Sequence, residues 1–268
     1  MLNDDFLLPN ITVLVNLLSI PSMYSSKGEF MSREGFSENN ESIPTGIGYG
    51  PILRPSAREA YSLRQQIFEQ VRASGQIARS TIARTLNVSP GSVTALTADL
   101  ILDGFLREVG SITRETVRGR PPVALELVPE ALHVIGVKLS DERHTAVLTD
   151  FGGSVLASAS LEAAPDKATA NALLSATEIL IKQLCDIAQI LPNSISAIGV
   201  GISGIVDCKT GIVAWSPLLR DLDIPLGKLL ATHFGTPVLI DNDANVLTLA
   251  ELWFGAGRAL SNFVVVTI

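Results

Sequence analysis

The sequence predicts an α/β protein in two parts, a small helical module with a basic β-hairpin followed by a larger acidic module of strands and helices. Three observations predict it. Ile82, Ala83, Leu86, Val88, Val93, Leu96 and Leu100 are spaced as two short helices need to be to share one core. Two alternating runs, Phe105–Val109 and Val123–Leu127, flank a polar loop in which Arg114, Arg118 and Arg120 face the single acid Glu115. From Val134 onward, apolar runs of strand length alternate with helical patterns.

Size and charge agree with two modules. The chain has 268 residues, 47% of them hydrophobic and 18% charged, enough for two domains with a sizeable core. A formal net charge of -7 excludes a protein that coats nucleic acid along its whole surface, but the charge is uneven. Arg54–Leu125 carries 10 arginines and no lysine against 6 acids, whereas Glu126–Ile268 carries 8 basic and 15 acidic residues. Cys185 and Cys208 have no Cys or His at metal-ligand spacing, so free thiols in a reducing cytoplasm and no metal site are expected. The apolar run Phe6–Ile20 is broken by Pro9, Asn10 and Asn16 and preceded by Asp4 and Asp5. It fits neither a signal peptide nor a membrane span, and a cytoplasmic protein without membrane contact is expected.

Residues 1–55 show weak periodicity, and Ser22–Pro55 is rich in Ser, Gly, Asn and Glu, which predicts a disordered leader. Residues 56–128 read as a winged helix-turn-helix DNA-binding domain. Its first helix has Ala60, Leu63, Ile67 and Val71 on one face and Gly75 to stop it. The stretch Gln76–Leu127 reads as two short helices, a turn, a third helix and a basic β-wing. Asn87 tolerates the left-handed backbone such a turn often needs. Ser89 suits an N-cap and Pro90 the first helical position, so a helix should run to about Asp103.

The candidate DNA contacts are Ser89, Gly91, Ser92, Thr94 and Ala95 at the exposed start of this helix, with Arg114, Arg118 and Arg120 in the wing. Arginines there have the charge to lie along phosphates. The run Arg118-Gly119-Arg120-Pro121 also resembles the core of an AT-hook, whose arginines enter a narrow minor groove; an ordinary exposed hairpin loop is the competing reading. No Arg, Lys, Asn or Gln occurs in the helix before Asp99, so bidentate base reading is unavailable. Specificity must then lean on Ser92, Thr94, Ala95, the wing and DNA shape.

In the second part, Val134–Leu139, His144–Thr149 and Ser154–Ala159 read as strands, with a hairpin turn at Phe151-Gly152-Gly153. Ala170, Leu173, Leu174, Thr177, Ile181, Leu184 and Ala188 have helical spacing. Ile198–Ile202 is a strand with little room for large side chains on one face, leading into the loop Ser203–Asp207. Pro237–Ile240 is a strand ending in Asp241-Asn242-Asp243-Ala244-Asn245, which feeds a helix from Ala244 to Trp253. Polar residues at the C-terminal ends of strands are where open α/β sheets bind ligands. The plain alternative is that the Asp-rich turn only caps that helix.

These residues resemble the ROK family, which comprises sugar-responsive repressors and sugar kinases. The likeness covers about Ala60–Ile268 and is similar in arrangement to the xylose-repressor and N-acetylglucosamine-repressor branch. Its marks are Val88-Ser89 with Ser92-Val93, the wing end Gly119-Arg120-Pro121-Pro122, Ile198–Asp207, and Asn242-Asp243-Ala244-Asn245 with Glu251 downstream. The resemblance implies an N-terminal winged helix-turn-helix followed, over residues 129–268, by the first lobe of an actin-like, sugar-kinase-like (ribonuclease H-like) domain. It also implies that Asp243 and Asn242, with Gly204, contact a sugar, Asp243 being the position of the general base in family kinases.

Two departures shape the functional expectation. Family kinases open the domain with Asp-x-Gly-Gly-Thr, whose backbone amides approach ATP phosphates. Here the run is Val137-Lys138-Leu139-Ser140-Asp141-Glu142, which would set two carboxylates against phosphate. The family also continues past Phe263–Ile268 into a second phosphate loop, further sugar-contacting acids and a zinc site, so a truncated member without a cofactor is expected. The expected function is a sequence-specific repressor of carbohydrate-utilisation genes, not an enzyme. Its partners would be double-stranded DNA, a small sugar or sugar phosphate, and a second copy of the chain when intact. An ATP-dependent sugar kinase and a non-functional remnant are the alternatives.

Overall fold

The structure is a computed structural model that describes residues 48–51, 61–110 and 123–266. Its first part has three helices and a small sheet. Helix α1 (Leu63–Ser74) starts where the Ser62 side chain accepts the Gln65 N–H, and it stops at Gly75, whose φ of 74° a side chain would resist. After β1 (Gln76–Ala78) and α2 (Arg79–Leu86), Asn87 turns the chain in the left-handed region, φ 56° and ψ 47°. Helix α3 (Pro90–Leu102) is capped by Ser89, which accepts the Ser92 N–H. Strands β2 (Leu106–Gly110) and β3 (Val123–Leu127) pair antiparallel, and β1 joins β3 on its other edge. Among the described residues, Gln76–Leu127 therefore holds two helices, with the short strand β1 ahead of them, rather than three helices. Three residues are too few to show a period, and β1 exists because Ile77 pairs across to Leu125.

The second part is a five-stranded mixed sheet in the order β10-β7-β4-β5-β6. Strands β4 (His133–Leu139), β7 (Ile195–Ile202) and β10 (Val238–Asn242) are parallel, while β5 (Arg143–Asp150) and β6 (Val155–Glu162) continue antiparallel from β4. Alternation along the strands decides what covers each face. Ile135, Val137, Leu139, Ile198, Val200 and Ile202 form one core with α4 (Ala170–Ala188) and α5 (Leu226–Phe234). Val134 and Ala197 face the other way and share a core with Trp253 at the end of α6 (Asp243–Trp253) and with Ile67, Phe68, Val93 and Leu100 of the first part. Gly136 lies beside Gly199 and Lys138 beside Gly201, which leaves room on that second side.

The sequence reading missed several elements. Ile205–Asp207, read as loop, is strand β8, paired with β9 (Ile212–Trp215), and neither β9 nor α5 was foreseen. Phe263–Val266 pairs with no strand among the described residues, and Val264 is 86% exposed. Gly48–Pro51, inside the expected leader, lies against α1 and α6, with Tyr49 N–H donating to Arg72 O at 3.1 Å.

Candidate functional site

Two surfaces carry the candidate residues. On α3, Val93, Thr97 and Leu100 are buried, so Ser89, Gly91, Ser92, Thr94 and Ala95 are left exposed. Their hydroxyls are partly engaged by the helix itself. Ser89 Oγ accepts the Ser92 N–H at 3.0 Å and lies 2.8 Å from Ser92 Oγ, and Thr94 Oγ1 donates to Pro90 O at 2.9 Å. The face is shallow and polar, made of small groups. Arg79 donates to Thr97 Oγ1 at 2.8 Å and pairs with Glu108 at 2.7 Å, fastening α2, α3 and β2 together. Arg64, Arg72 and Arg107 are likewise paired, with Asp103, Glu69 and Glu126. Arg84, exposed near the end of α2, has no ion pair among the described residues. Arg114, Arg118 and Arg120 lie outside the described residues, in the stretch that joins β2 to β3.

The second surface lies where β4, β7 and β10 all end. Register sets Leu139 beside Ile202 and Ile202 beside Asn242, so the segments leaving the three strands meet at one edge. Asn242 Nδ2 donates to Gly204 O at 2.7 Å, and Ser203 Oγ donates to Asp243 Oδ2 at 2.5 Å. Gly204, Asn242 and Asp243 are thus brought together. Asn242 Oδ1 and Asp243 Oδ1 both accept the Ala244 N–H, at 2.9 and 3.0 Å, so capping of α6 is also present. The two roles are compatible, because an ionised carboxylate has about four acceptor sites and only part of that capacity is used. Gly204 has φ 140°, and a Cβ there would sit 2.1 Å from Trp215 O.

Ser203 and Asp241 are members of this cluster that the sequence reading left out. Asp241 Oδ1 accepts from Asn242 N–H at 2.7 Å and from Asn245 Nδ2 at 2.9 Å, which stiffens the turn. The available signal was position: each is polar and adjoins Gly204 or Asn242 at a strand end. Nearby, the Asp207 carboxyl is held below its usual range by the Thr210 hydroxyl and the Lys209 N–H.

The turn after β4 is closed on itself. Ser140 N–H donates to His144 Nδ1 at 3.3 Å, and Ser140 Oγ donates to Arg143 O at 2.7 Å. His144 is buried, which pushes its imidazole below the ordinary value. Asp141 and Glu142 are exposed. Beneath the turn is a groove of about 410 Å³, lined by Ser140, Asp141, His144, Glu162, Leu173 and Leu218 among others. Among the described residues, no three His, Cys, Asp or Glu side chains gather where a metal could sit. Cys185 is a buried free thiol and Cys208 an exposed one. No helix among the described residues is long and apolar enough to cross a membrane.

A family model described as "ROK family" matches residues 134–268. The xylose repressor of Caldicellulosiruptor bescii is 30% identical over 194 residues, which is 72% of this chain and 47% of that protein. The DNA-binding transcriptional repressor Mlc of Escherichia coli (strain K12) is 28% identical over 220 residues, 81% of this chain and 51% of Mlc. A crystal structure of a ROK family transcriptional regulator, described as a homologue of the E. coli MLC protein, shares the fold with a TM-score of 0.56 at 23% identity. That match covers 70% of this chain and 47% of the other. The chain spans about half the length of the curated relatives it matches.

Proposed function

The chain belongs to the ROK family, and on that premise we propose that it is a sequence-specific DNA-binding repressor of carbohydrate-utilisation genes. In this reading residues 56–128 are a winged helix-turn-helix domain and residues 129–268 the first lobe of a sugar-kinase-like domain that senses a small sugar or sugar phosphate. The observation that carries it is the open face of α3. Ser89, Gly91, Ser92, Thr94 and Ala95 stand exposed at the start of a helix whose other side is buried, and the sequence between β2 and β3 holds three arginines against one acid. The repressors among its relatives support the same reading.

Mechanistically, α3 lies in the major groove, with its small side chains close to base edges, and the wing arginines hold backbone or minor groove. A dimer sets two copies on a palindromic site. Sugar hydroxyls bind at Asn242, Asp243 and Gly204 and shift the population between DNA-competent and DNA-incompetent arrangements. Phosphoryl transfer is not part of this function. A phosphate-binding turn needs free backbone N–H groups, and the Ser140 N–H is already spent on His144 with two exposed carboxylates beside it. The chain therefore senses the sugar without modifying it.

The test is binding of the purified chain to random duplex DNA over a salt series, alongside the Arg118→Ala/Arg120→Ala double variant. Each lost phosphate contact lowers the salt slope by about 0.9, so the variant should bind more weakly with a slope shallower by up to about two. Unchanged binding removes the wing from the mechanism. Sugar-dependent ATP consumption above background would overturn the sensor assignment.

A further inference from the structure

Helix α6 has one end in each functional part of the molecule. It opens at Asn242 and Asp243 and closes at Trp253, spanning 11 residues. At 1.5 Å per residue this is a rod of roughly 16 Å. Val246, Ala250 and Trp253 are buried at helical spacing, so it is held along its length.

At the far end it grips the last turn of α1. The Arg72 guanidinium is 2% exposed and lies 4.3 Å from the Trp253 ring centroid and 5.5 Å from that of Tyr49, while pairing with Glu69. Trp253 O accepts the Gly50 N–H at 2.6 Å. Arg258, just beyond α6, donates to Gly50 O at 2.8 Å and to Ala73 O at 3.2 Å. Ala73 O is one of the carbonyls that a helix end leaves without an internal partner, so α1 is capped by a side chain from the sheet part. A Cβ on Gly48 would lie 2.1 Å from Ala73 O, so the strap passes this helix end at a residue without a side chain.

An all-apolar contact is non-directional and can slide. A stacked, ion-paired, hydrogen-bonded guanidinium has one good geometry and makes the joint sensitive to small displacements. At the near end, Asp243 and Asn242 hold Ser203 and Gly204 by two hydrogen bonds that sugar hydroxyls would share or displace. Helix α1 in turn shares its core with α3.

We propose that α6 is the coupling element between the two sites, with Arg72 on Trp253 as the positioning contact that transmits its displacement to α1 and so to α3. This deepens the repressor reading and rests on it.

The test is a double-mutant cycle in the full chain, with Asp243→Asn at the near end and Arg72→Lys at the far end. Two readouts are taken: DNA affinity, and amide hydrogen exchange of residues 64–75. Asp243→Asn should raise exchange in that segment and change the DNA Kd by about threefold or more, and Arg72→Lys should abolish most of both responses. Trp253→Phe serves as the second far-end variant if Arg72→Lys fails to fold. Additive effects, or exchange in 64–75 untouched by Asp243→Asn, overturn the proposal even when DNA is bound. Absence of DNA binding by the unaltered chain would defeat the repressor reading, while the exchange arm still decides the coupling.

Discussion

Gly204→Ala probes the geometry of the cluster at the ends of β7 and β10 most directly. With φ 140°, Gly204 occupies backbone space that L side chains resist, and its carbonyl receives the Asn242 amide. A Cβ would sit 2.1 Å from Trp215 O, 2.9 Å from Ser216 Cα and 3.1 Å from Trp215 C. A comfortable carbon–oxygen approach is about 3.3 Å. The overlap therefore exceeds about an ångström and involves backbone on both sides, so no side-chain rotation relieves it. Backbone strain of about 1–3 kcal/mol adds to overpacking of about 1–3 kcal/mol, for a loss of about 2–6 kcal/mol. Gly235→Ala is the matched control: φ is 63° with nothing within 4 Å, so only strain of about 1–2 kcal/mol applies. In a chain of this size about 1 kcal/mol moves Tm by 2–4 °C. Gly204→Ala should melt at least about 4 °C below the parent and clearly below Gly235→Ala. Equal melting of the two alanine variants would refute the argument that close approach to β9 requires this glycine.

Two further outcomes follow from the geometry. Thr94→Glu puts a carboxylate on the exposed start of α3; DNA binding should weaken at least about tenfold, or 1.4 kcal/mol, with stability within about 0.5 kcal/mol, as read by anisotropy and urea melts. His144 contributes a pH dependence of stability. Its folded pKa lies below the ordinary 6.5, so the unfolded chain takes up the proton first and stability falls as pH drops from 7 towards 5. His144→Gln should flatten that dependence by up to about 1.4 kcal/mol per pH unit, measured as urea midpoints across the window; an unaltered slope would exclude His144 as its source.

Elements with local signals were legible in the sequence. Gly75, Asn87, Ser89 and Pro90 each act through their own backbone or that of residues within three positions, and all four sit where those preferences put them. Strands β1, β8 and β9 have three or four residues each, too few to display a period. They exist because a distant segment pairs with them. The same division runs through the site. The family resemblance singled out Gly204, Asn242 and Asp243, whereas the hydrogen bond that ties Ser203 to Asp243 spans 40 positions and has no local signal.

Charge shows the boundary between the two kinds of information best. The sequence alone determined that the first module is basic and the second acidic, since ionisation depends on residue type. Which arginines face solvent was decided by the tertiary structure. Arg72 counts toward the basic total yet is buried on Trp253, 181 positions along the chain, and Arg64, Arg79 and Arg107 are tied into ion pairs. A guanidinium's field is set by what folding brings within a few ångströms of it, and nothing in the residues flanking Arg72 carries that information.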